Sequence, residues 1–420
     1  MESILPRLSD FQGFRKNWRK DLIAGITVGI VALPLALAFG ITTGTGATSG
    51  LITAIIAGAL AALFGGSNYQ VSGPTGAMTV VLVPIVNKYG TSALLPMGIA
   101  AGLLVIIFGL VRSGSLINKV PWPVMEGFTF GIALVIALQQ LPGVLSIKAV
   151  PGNGTLSTAL NTAKRALDDG LNWYSLSVVI LTLVIKFTYP KIVQLLNIKV
   201  HIPASFSAIL ISTLFVYATK FDIPKVGNLP SNIFKFTHFP SISNMVSLII
   251  PTIEIALLAA IESLLSARIA DGMAHHHEEF KPYKPNRELV GQGIATTVSS
   301  ILGGLPATGA IARTGVNVRS GARSRLSAII HSLFLLAAVF ILNPIIAQIP
   351  EATLAGILLG TSYRIAKPSA IKEAMATTKS NASILVITAL IVLIIDLIWG
   401  IALGILTYLL IEYIKKVRNK

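Results

Sequence analysis

The chain has 420 residues, of which 53% are hydrophobic and 12% charged, and its formal net charge is +16. Soluble domains use charged residues about twice as often, at roughly 25%, so the composition excludes a soluble fold. The sequence contains no cysteine, which excludes disulfides, thiolate catalysis and cysteine-ligated metals. It also lacks a nucleophile–base–acid pattern of the kind that indicates an enzyme.

About fourteen hydrophobic segments follow one another along the chain. Apolar stretches of about 20 residues, such as 21–40, can cross a bilayer core of ~30 Å as helices. The pattern predicts an all-α polytopic membrane protein, with a cytoplasmic segment at 1–20 and a basic cytoplasmic tail at 415–420. The predicted segments are 20–40, 48–66, 75–88, 91–111, 122–141, 172–189, 203–219, 246–268, 288–302, 308–318, 325–346, 351–366, 382–397 and 398–414.

The cations explain the basic charge by topology. If the N-terminus is cytoplasmic, most of the 33 Lys and Arg residues fall in cytoplasmic loops and at the two chain ends. This is the positive-inside distribution of membrane proteins, so no nucleic-acid partner is expected. The sequence predicts a multi-pass protein of a bacterial cell membrane, surrounded by the lipid bilayer, with both termini in the cytoplasm.

Two nearly identical tetrapeptides open the third and the tenth segment: Thr75-Gly76-Ala77-Met78 and Thr308-Gly309-Ala310-Ile311. Both segments are short enough to cover half a bilayer, and Gly/Pro-rich chain precedes each. Seven segments per half would insert the second half upside down, as in inverted-repeat transporters. The pattern therefore predicts a 7+7 inverted repeat, at 21–219 and 246–414, with the third and tenth segments as half-helices. The alternative is that Pro-Thr-Gly marks two unrelated helix starts.

The two half-helices predict an anion site. Helix N-termini that meet at mid-membrane present unpaired N–H groups and partial positive charge, and small residues leave room for a ligand. The predicted binding residues are Thr75, Gly76, Ala77 and Met78 in the first copy and Thr308, Gly309, Ala310 and Ile311 in the second.

Arg313 follows the second tetrapeptide. It comes four residues after Gly309, so we expect it on the same helix face, one turn deeper. An arginine in the membrane costs at least ~2.5–3.5 kcal/mol unless it faces a cavity, an ion or a counter-charge. Arg313 is therefore predicted to bind the anion. The alternative places it at the cytoplasmic end of a full-length tenth span.

Glu262 lies in the eighth segment, with Ser263 beside it and Ser266 one turn further on. A carboxyl group at this depth is expected either to pair with Arg313 or to carry a proton. If Glu262 pairs with Arg313 in the empty carrier, an arriving anion would compete for Arg313 and favour protonation of Glu262. This hypothesis predicts proton–anion symport, and the alternative is a structural ion pair.

Five stretches together resemble the sulfate permease (SulP) family of anion transporters: 21–40, 61–81, 259–273, 286–295 and 303–323. The resemblance implies fourteen spans, a core domain from the first four spans of each half, and a gate domain from the other three. It also implies an elevator mechanism and a dimer. It places the anion site at the third and tenth helices, with Ala38 and Phe39 contributing from the first. Most members end in a cytoplasmic STAS domain, which this sequence is expected to lack.

The resemblance also bears on the coupling ion. Sodium-dependent bicarbonate relatives carry Asp and Thr where Glu262 and Ser266 stand here, and a hydroxyl-bearing residue near Ile311. These differences favour a proton over a sodium ion as the coupling ion.

The sequence therefore predicts a secondary active transporter of small inorganic or organic anions, of the sulfate, bicarbonate or dicarboxylate class, with a proton coupled through Glu262. The alternatives are an anion channel, a sodium-coupled bicarbonate carrier and a nucleobase–proton symporter, although the last would need polar side chains in the binding helices. No cofactor and no metal are expected. The expected partners are the anion, the proton and a second copy in a homodimer.

Overall fold

The computed structural model describes residues 6–7, 10–11, 13–115, 120–152, 154–196, 202–230, 245–277, 280–366, 379–395 and 397–418. The first five residues and the last two, which belong to the predicted cytoplasmic end segments, lie outside this set. The helices are α1 (Gly13–Thr42), α2 (Ala47–Phe64), α3 (Gly76–Tyr89), α4 (Leu94–Leu110), α5 (Trp122–Gln139), α6 (Leu141–Leu145), α7 (Thr155–Asp169), α8 (Trp173–Leu195), α9 (Ala204–Thr219), α10 (Ile249–Ala274), α11 (Pro285–Ile301), α12 (Ile311–Arg319), α13 (Leu326–Ile341), α14 (Asn343–Ile346), α15 (Glu351–Ala366), α16 (Lys379–Ile394) and α17 (Leu397–Arg418). The described chain also contains two short strands, β1 (Ser72–Gly73) and β2 (Thr308–Gly309), and two 3-10 helices, Thr91–Ala93 and Met245–Leu248.

The helical membrane fold is confirmed. Six helical stretches in the described chain are long and apolar enough to cross a membrane by themselves: Phe14–Thr42, Ala47–Phe64, Thr91–Leu110, Trp122–Leu145, Trp173–Leu195 and Val246–Ala274. Shorter apolar helices accompany them, among them Gly76–Tyr89 and Leu326–Ile341. Every predicted segment coincides with a helix. Among the described helices, α7 is one that no hydrophobic segment predicted.

The helices pack into two groups. In the first, α1 to α4 pack against α10 to α13, and in the second, α5, α8 and α9 pack with α15 to α17. This grouping agrees with the core and the gate that the resemblance implied. The boundaries of the two repeats, 21–219 and 246–414, stay a prediction.

Small residues bring the helices of the first group together. A Cβ atom on Gly50 of α2 would collide with the Ala36 carbonyl oxygen of α1. A Cβ atom on Gly102 of α4 would lie 2.7 Å from the Gly293 carbonyl oxygen of α11. Such close backbone approach is how helices associate in lipid, where the hydrophobic effect between them is weak.

The extended chain after α2 is held by a buried acid. Glu288, near the start of α11, accepts hydrogen bonds from the amides of Gly66 (2.7 Å) and Ser67 (2.8 Å) and from Nε2 of Gln70 (2.6 Å). Buried amide groups outside a helix need partners within the protein, because water does not reach them. Glu288 therefore stabilises the non-helical path that leads from α2 to β1.

Candidate functional site

The two repeated tetrapeptides lie side by side. β1 and β2 pair antiparallel, with Ser72 opposite Gly309 and Gly73 opposite Thr308. The amide of Ala310 continues the ladder by donating to the Val71 carbonyl at 2.9 Å. Each extended segment thus supplies the backbone partners that the other needs within the membrane.

The helices begin directly after these strands. Thr75 caps α3, since its hydroxyl accepts a hydrogen bond from the Met78 amide at 3.3 Å. α12 has nine residues and α3 has fourteen, so they extend about 14 and 21 Å, as predicted for half-helices.

The predicted start of the tenth helix at Thr308 is wrong, because α12 begins at Ile311. Thr308 and Gly309 use their backbone groups in the strand pair and cannot also be helical. Gly309 and Arg313 consequently do not share a helix face, although both lie at the site.

Glu262 on α10 forms hydrogen bonds with the first residue of both tetrapeptides. Its Oε2 atom accepts hydrogen bonds from the hydroxyls of Thr75 (2.8 Å) and Thr308 (2.6 Å), and the two hydroxyl oxygens are 3.0 Å apart. The glutamate is buried. The equivalent first residues of both tetrapeptides therefore meet at one carboxylate oxygen.

Ser263 and Ser266 of α10 bind the second tetrapeptide and the residue Thr314 that follows it. The hydroxyl of Ser263 accepts a hydrogen bond from the Gly309 amide at 3.0 Å. The hydroxyl of Ser266 donates to the Thr314 hydroxyl at 3.0 Å, and the same Thr314 oxygen accepts from the Val71 amide at 3.0 Å. Both serines thus orient the strand pair and the first turn of α12.

Arg313 is buried in the first turn of α12. Its Nη2 atom donates to the Pro74 carbonyl at 2.7 Å, one residue before Thr75. The direct ion pair with Glu262 that the coupling hypothesis assumed is wrong for this conformation: within the described chain no Arg313–Glu262 contact is among the ion pairs at 4.0 Å or less. The carboxylate binds threonine hydroxyls, and the guanidinium binds backbone.

Apolar side chains enclose the start of α3. A Cβ atom on Gly76 would lie 3.6 Å from Cε1 of Phe39 and would collide with Cδ1 of Ile136 on α5. Ala38, Phe39, Ala77, Met78 and Ala310 are buried, and Ile311 is half-buried. The predicted residues of α1 and α3 thus converge, and Ile136 is a neighbour that the sequence reasoning missed.

Gln292 on α11 is a second residue that was missed. Its Oε1 atom accepts a hydrogen bond from the Ser72 hydroxyl at 2.8 Å, and its Nε2 atom donates to the Ala307 carbonyl at 2.8 Å. It therefore links the segments that carry β1 and β2. An uncharged amide in an apolar segment was the available signal, because such a group needs a partner in the membrane.

The arrangement is suited to bind an anion. The guanidinium of Arg313 binds the residue before Thr75, and the carboxylate of Glu262 binds Thr75 and Thr308, so both groups lie beside the starts of α3 and α12. The described residues contain no group of three or more His, Cys, Asp and Glu that could hold a metal ion. Anion binding and proton exchange are the chemistry that these groups provide.

Comparison with known proteins agrees with this arrangement. Residues 18–388 match the model of the sulfate permease family. The chain is 35% identical over 406 residues to "Putative sulfate transporter YvdB" of Bacillus subtilis, which covers 94% of this chain and 74% of the relative. It is 30% identical over 407 residues to the bicarbonate transporter BicA of Picosynechococcus sp., covering 93% and 69%.

Solved structures show the same fold. The transmembrane domain of a cyanobacterium bicarbonate transporter BicA superimposes with a TM-score of 0.81 at 30% identity, covering 92% of this chain and 97% of that one. SLC26A9 superimposes with a TM-score of 0.84 over 98% of this chain and 68% of its own, but at 16% identity this likeness concerns the fold alone.

Proposed function

Because this chain belongs to the sulfate permease family, we propose that it is a secondary active transporter that carries a small anion together with a proton bound at Glu262. The relatives are named as transporters, so the chain is a transport protein and not an enzyme. The proposed substrates are sulfate, bicarbonate or a dicarboxylate, and the names of the relatives support the first two. An elevator movement of the first helix group against the second, a homodimer and cytoplasmic termini complete the proposal.

The hydrogen bonds at Glu262 carry this proposal. While Glu262 is charged, the hydroxyls of Thr75 and Thr308 can both donate to its Oε2 atom. Once protonated, the acid donates its own proton to one threonine, which leaves a threonine hydrogen free to turn elsewhere. The protonation state of Glu262 thereby reaches the first residue of each half-helix segment.

Electrostatic repulsion couples protonation of Glu262 to binding of the anion. A charged Glu262 competes with an incoming anion for the same helix N-termini and for the field of Arg313. Protonation removes that competing charge, so each ligand increases the affinity for the other. The thermodynamic consequence is symport of the proton and the anion. This argument does not need the direct Arg313–Glu262 ion pair.

Sodium coupling is less favoured by the same geometry. The hydroxyl of Ser266 donates its hydrogen to Thr314, and Thr314 accepts from the Val71 amide. Both lone pairs of the Thr314 hydroxyl are therefore in use, and this oxygen has none left to bind a sodium ion.

The test is uptake of labelled sulfate, bicarbonate, fumarate and chloride into proteoliposomes, with pH and sodium gradients imposed separately. A gradient of one pH unit supplies ~1.4 kcal/mol per proton, a factor of about ten in the accumulation ratio. We expect that factor for the wild type and a ratio of about one for Glu262→Gln, which keeps the shape of the side chain but cannot titrate.

The matched control is Glu412→Gln, the same chemical change at an exposed position of α17. It should accumulate the anion as the wild type does. A Glu262→Gln transporter that still responds fully to the pH gradient would contradict the proposed coupling. Uptake driven by sodium alone would favour the sodium-coupled carrier, and currents that far exceed carrier turnover would favour a channel.

A further inference from the structure

Helix α7 presents an exposed stripe of leucines. Leu156, Leu160 and Leu167 are 39%, 62% and 69% exposed. At 100° per residue these three leucines fall within a sector of about 40° of the helix surface.

A different side of α7 packs against the protein. Ala159, Thr162 and Ala166 are buried, and the helix contacts α5, α6 and α16. The leucines therefore stay exposed in the folded chain, because the helix cannot roll to bury them without losing its packed side. The remaining side carries Asn161, Lys164, Arg165, Asp168 and Asp169.

The neighbouring helix places α7 relative to the bilayer. α8 begins at Trp173, three residues after Gly170, and Trp173 and Tyr174 are 71% and 55% exposed. Exposed Trp and Tyr at a helix end favour the headgroup level. Further along α8, Ile180 and Val184 are also exposed, as expected for residues that contact lipid. α7 ends at Asp169, four residues before Trp173, so its C-terminal end lies close to the level of the headgroups.

We propose that α7 lies in the membrane interface, with Leu156, Leu160 and Leu167 among the acyl chains and its charged side towards water. Lys164 follows the stripe by about 40° around the helix, and its ammonium group suits the phosphates of phospholipids. The helix would anchor the end of α5 and the start of α8 to the bilayer surface. This inference does not depend on the transported anion or on the coupling ion.

The cysteine-free chain allows a direct test. Single-cysteine variants Leu160→Cys and Leu167→Cys, with Asn161→Cys and Asp168→Cys as controls on the polar side, are spin-labelled in nanodiscs of phosphatidylcholine and phosphatidylglycerol. Accessibility is measured to oxygen, which concentrates in lipid, and to a water-soluble nickel chelate. We expect the leucine sites to favour oxygen and the controls to favour nickel.

Two results would overturn the proposal. Leucine sites that are as accessible to nickel as the controls would place α7 in water. Leucine sites shielded from both reagents, with spin–spin broadening between labels, would show that a second copy of the chain covers the stripe. Thermal melting of each labelled variant verifies that the fold is retained.

His331 on α13 is a separate buried group without a role in the site described above. It is fully buried, and neither ring nitrogen makes a hydrogen bond with the described residues. The Ala328 carbonyl, three residues earlier on α13, lies near the ring. A buried polar group without a partner is rare enough to require an explanation.

The position of the ring supplies one. A Cβ atom on Gly58 would lie 3.4 Å from Nδ1 of His331 and 3.4 Å from the Ser72 carbonyl oxygen. A Cβ atom on Gly73 would lie 2.7 Å from Nη1 of Arg313. Ser72 and Gly73 are the two residues of β1, so the histidine and the arginine approach the same strand.

Their hydrogen-bonding needs are complementary. Nη1 of Arg313 is buried and also lacks a partner among the described residues. A guanidinium can only donate, whereas a neutral imidazole has one accepting nitrogen. We infer that His331 is a positioning residue for Arg313. After a side-chain rotation, or through one water molecule, a ring nitrogen of His331 accepts a hydrogen bond from Nη1 of Arg313. It would fix the direction in which the guanidinium meets the anion, so this inference rests on the proposed anion site.

The test compares His331→Leu with His331→Gln, whose amide oxygen can still accept. Counterflow exchange of the labelled anion, without any gradient, gives KM and maximal rate independently of proton coupling. We expect His331→Leu to raise KM about tenfold, the effect of losing a hydrogen bond to a charged group, with a smaller change in rate. His331→Gln should restore KM to within about threefold.

Thermal melting in the Arg313→Ala background separates the contact from the transport site. If the two side chains interact, His331→Leu should lower the melting temperature less there than in the wild type. Equal effects in both backgrounds, or an unchanged KM in His331→Leu, would overturn the inference. A wild type that exchanges none of the anions would refute the proposed function, while the melting comparison would still test the contact.

Discussion

Replacing Arg313 by alanine is expected to reduce anion uptake about a hundredfold or more. The change removes the guanidinium charge of the proposed anion site and the hydrogen bond from Nη2 to the Pro74 carbonyl. Removing a single donor that stabilises a buried anion typically costs a factor of ~100–1,000. Initial uptake rates in proteoliposomes measure the effect, and Arg313→Lys, which keeps the charge without the planar fork, should fall in between.

Arg319→Ala is the matched control for this prediction. Arg319 is the last residue of α12, so it receives the same substitution on the same helix, and its side chain is exposed. Its uptake should stay within about twofold of the wild type, since an exposed cation at a helix C-terminus contributes little. An Arg313→Ala protein that melts and transports like the wild type would remove Arg313 from the anion site.

Replacing Glu288 by alanine is expected to destabilise the protein by ~3–5 kcal/mol. The Gly66 and Ser67 amides and Nε2 of Gln70 would lose their acceptor in a buried region. Leaving buried donors unpaired costs ~1–3 kcal/mol each, less whatever relaxation recovers. For a chain of 420 residues, a fall of roughly 5 °C in the melting temperature is the measurable consequence.

Glu288→Gln tests the reason for that loss. Its amide oxygen can still accept from one or two donors, so its melting temperature should lie between those of Glu288→Ala and the wild type. Glu412→Ala, at an exposed position, should melt within about 1 °C of the wild type because surface ion pairs contribute little. If Glu288→Ala melts at the wild-type temperature, the extended chain before β1 does not depend on this acid.

The buried acids Glu262 and Glu288 both stabilise the extended segments around β1 and β2. Glu262 receives the hydroxyls that begin the half-helix segments, and Glu288 receives the amides that precede β1. Together with the β1–β2 pairing they bind both extended segments to the same helix group. In the proposed elevator movement, these contacts would let the proposed anion site move together with the first helix group.

The fold class was predictable from the sequence because it depends on local quantities. The length of an apolar run relative to the bilayer thickness identifies a span, and the run after Thr75 or Thr308 is too short for one. The repeat of Thr-Gly-Ala at corresponding places identified two equivalent segments, which the structure places side by side. Glu262 and Arg313 were recognisable because a charge within an apolar segment requires a partner.

The partners of those charges were decided by the tertiary structure. Glu262 binds Thr75 and Thr308, which lie 187 and 46 residues away, and Arg313 binds the Pro74 carbonyl rather than the carboxylate. Distant backbone pairing also moved the start of α12 to Ile311. A side chain's direction depends on which helices pack around it, and apolar segments of similar composition do not specify that packing.

Helix α7 shows the converse limit. A search for apolar runs passes over it, because its leucines alternate with polar residues, yet their helical spacing was present in the sequence. The sequence by itself thus determined the membrane class, the family resemblance and the two repeated segments at which an anion site is proposed. The tertiary structure decided which atoms meet at Glu262, what holds Arg313 and which side of α7 remains exposed, because these depend on contacts between residues far apart in the chain.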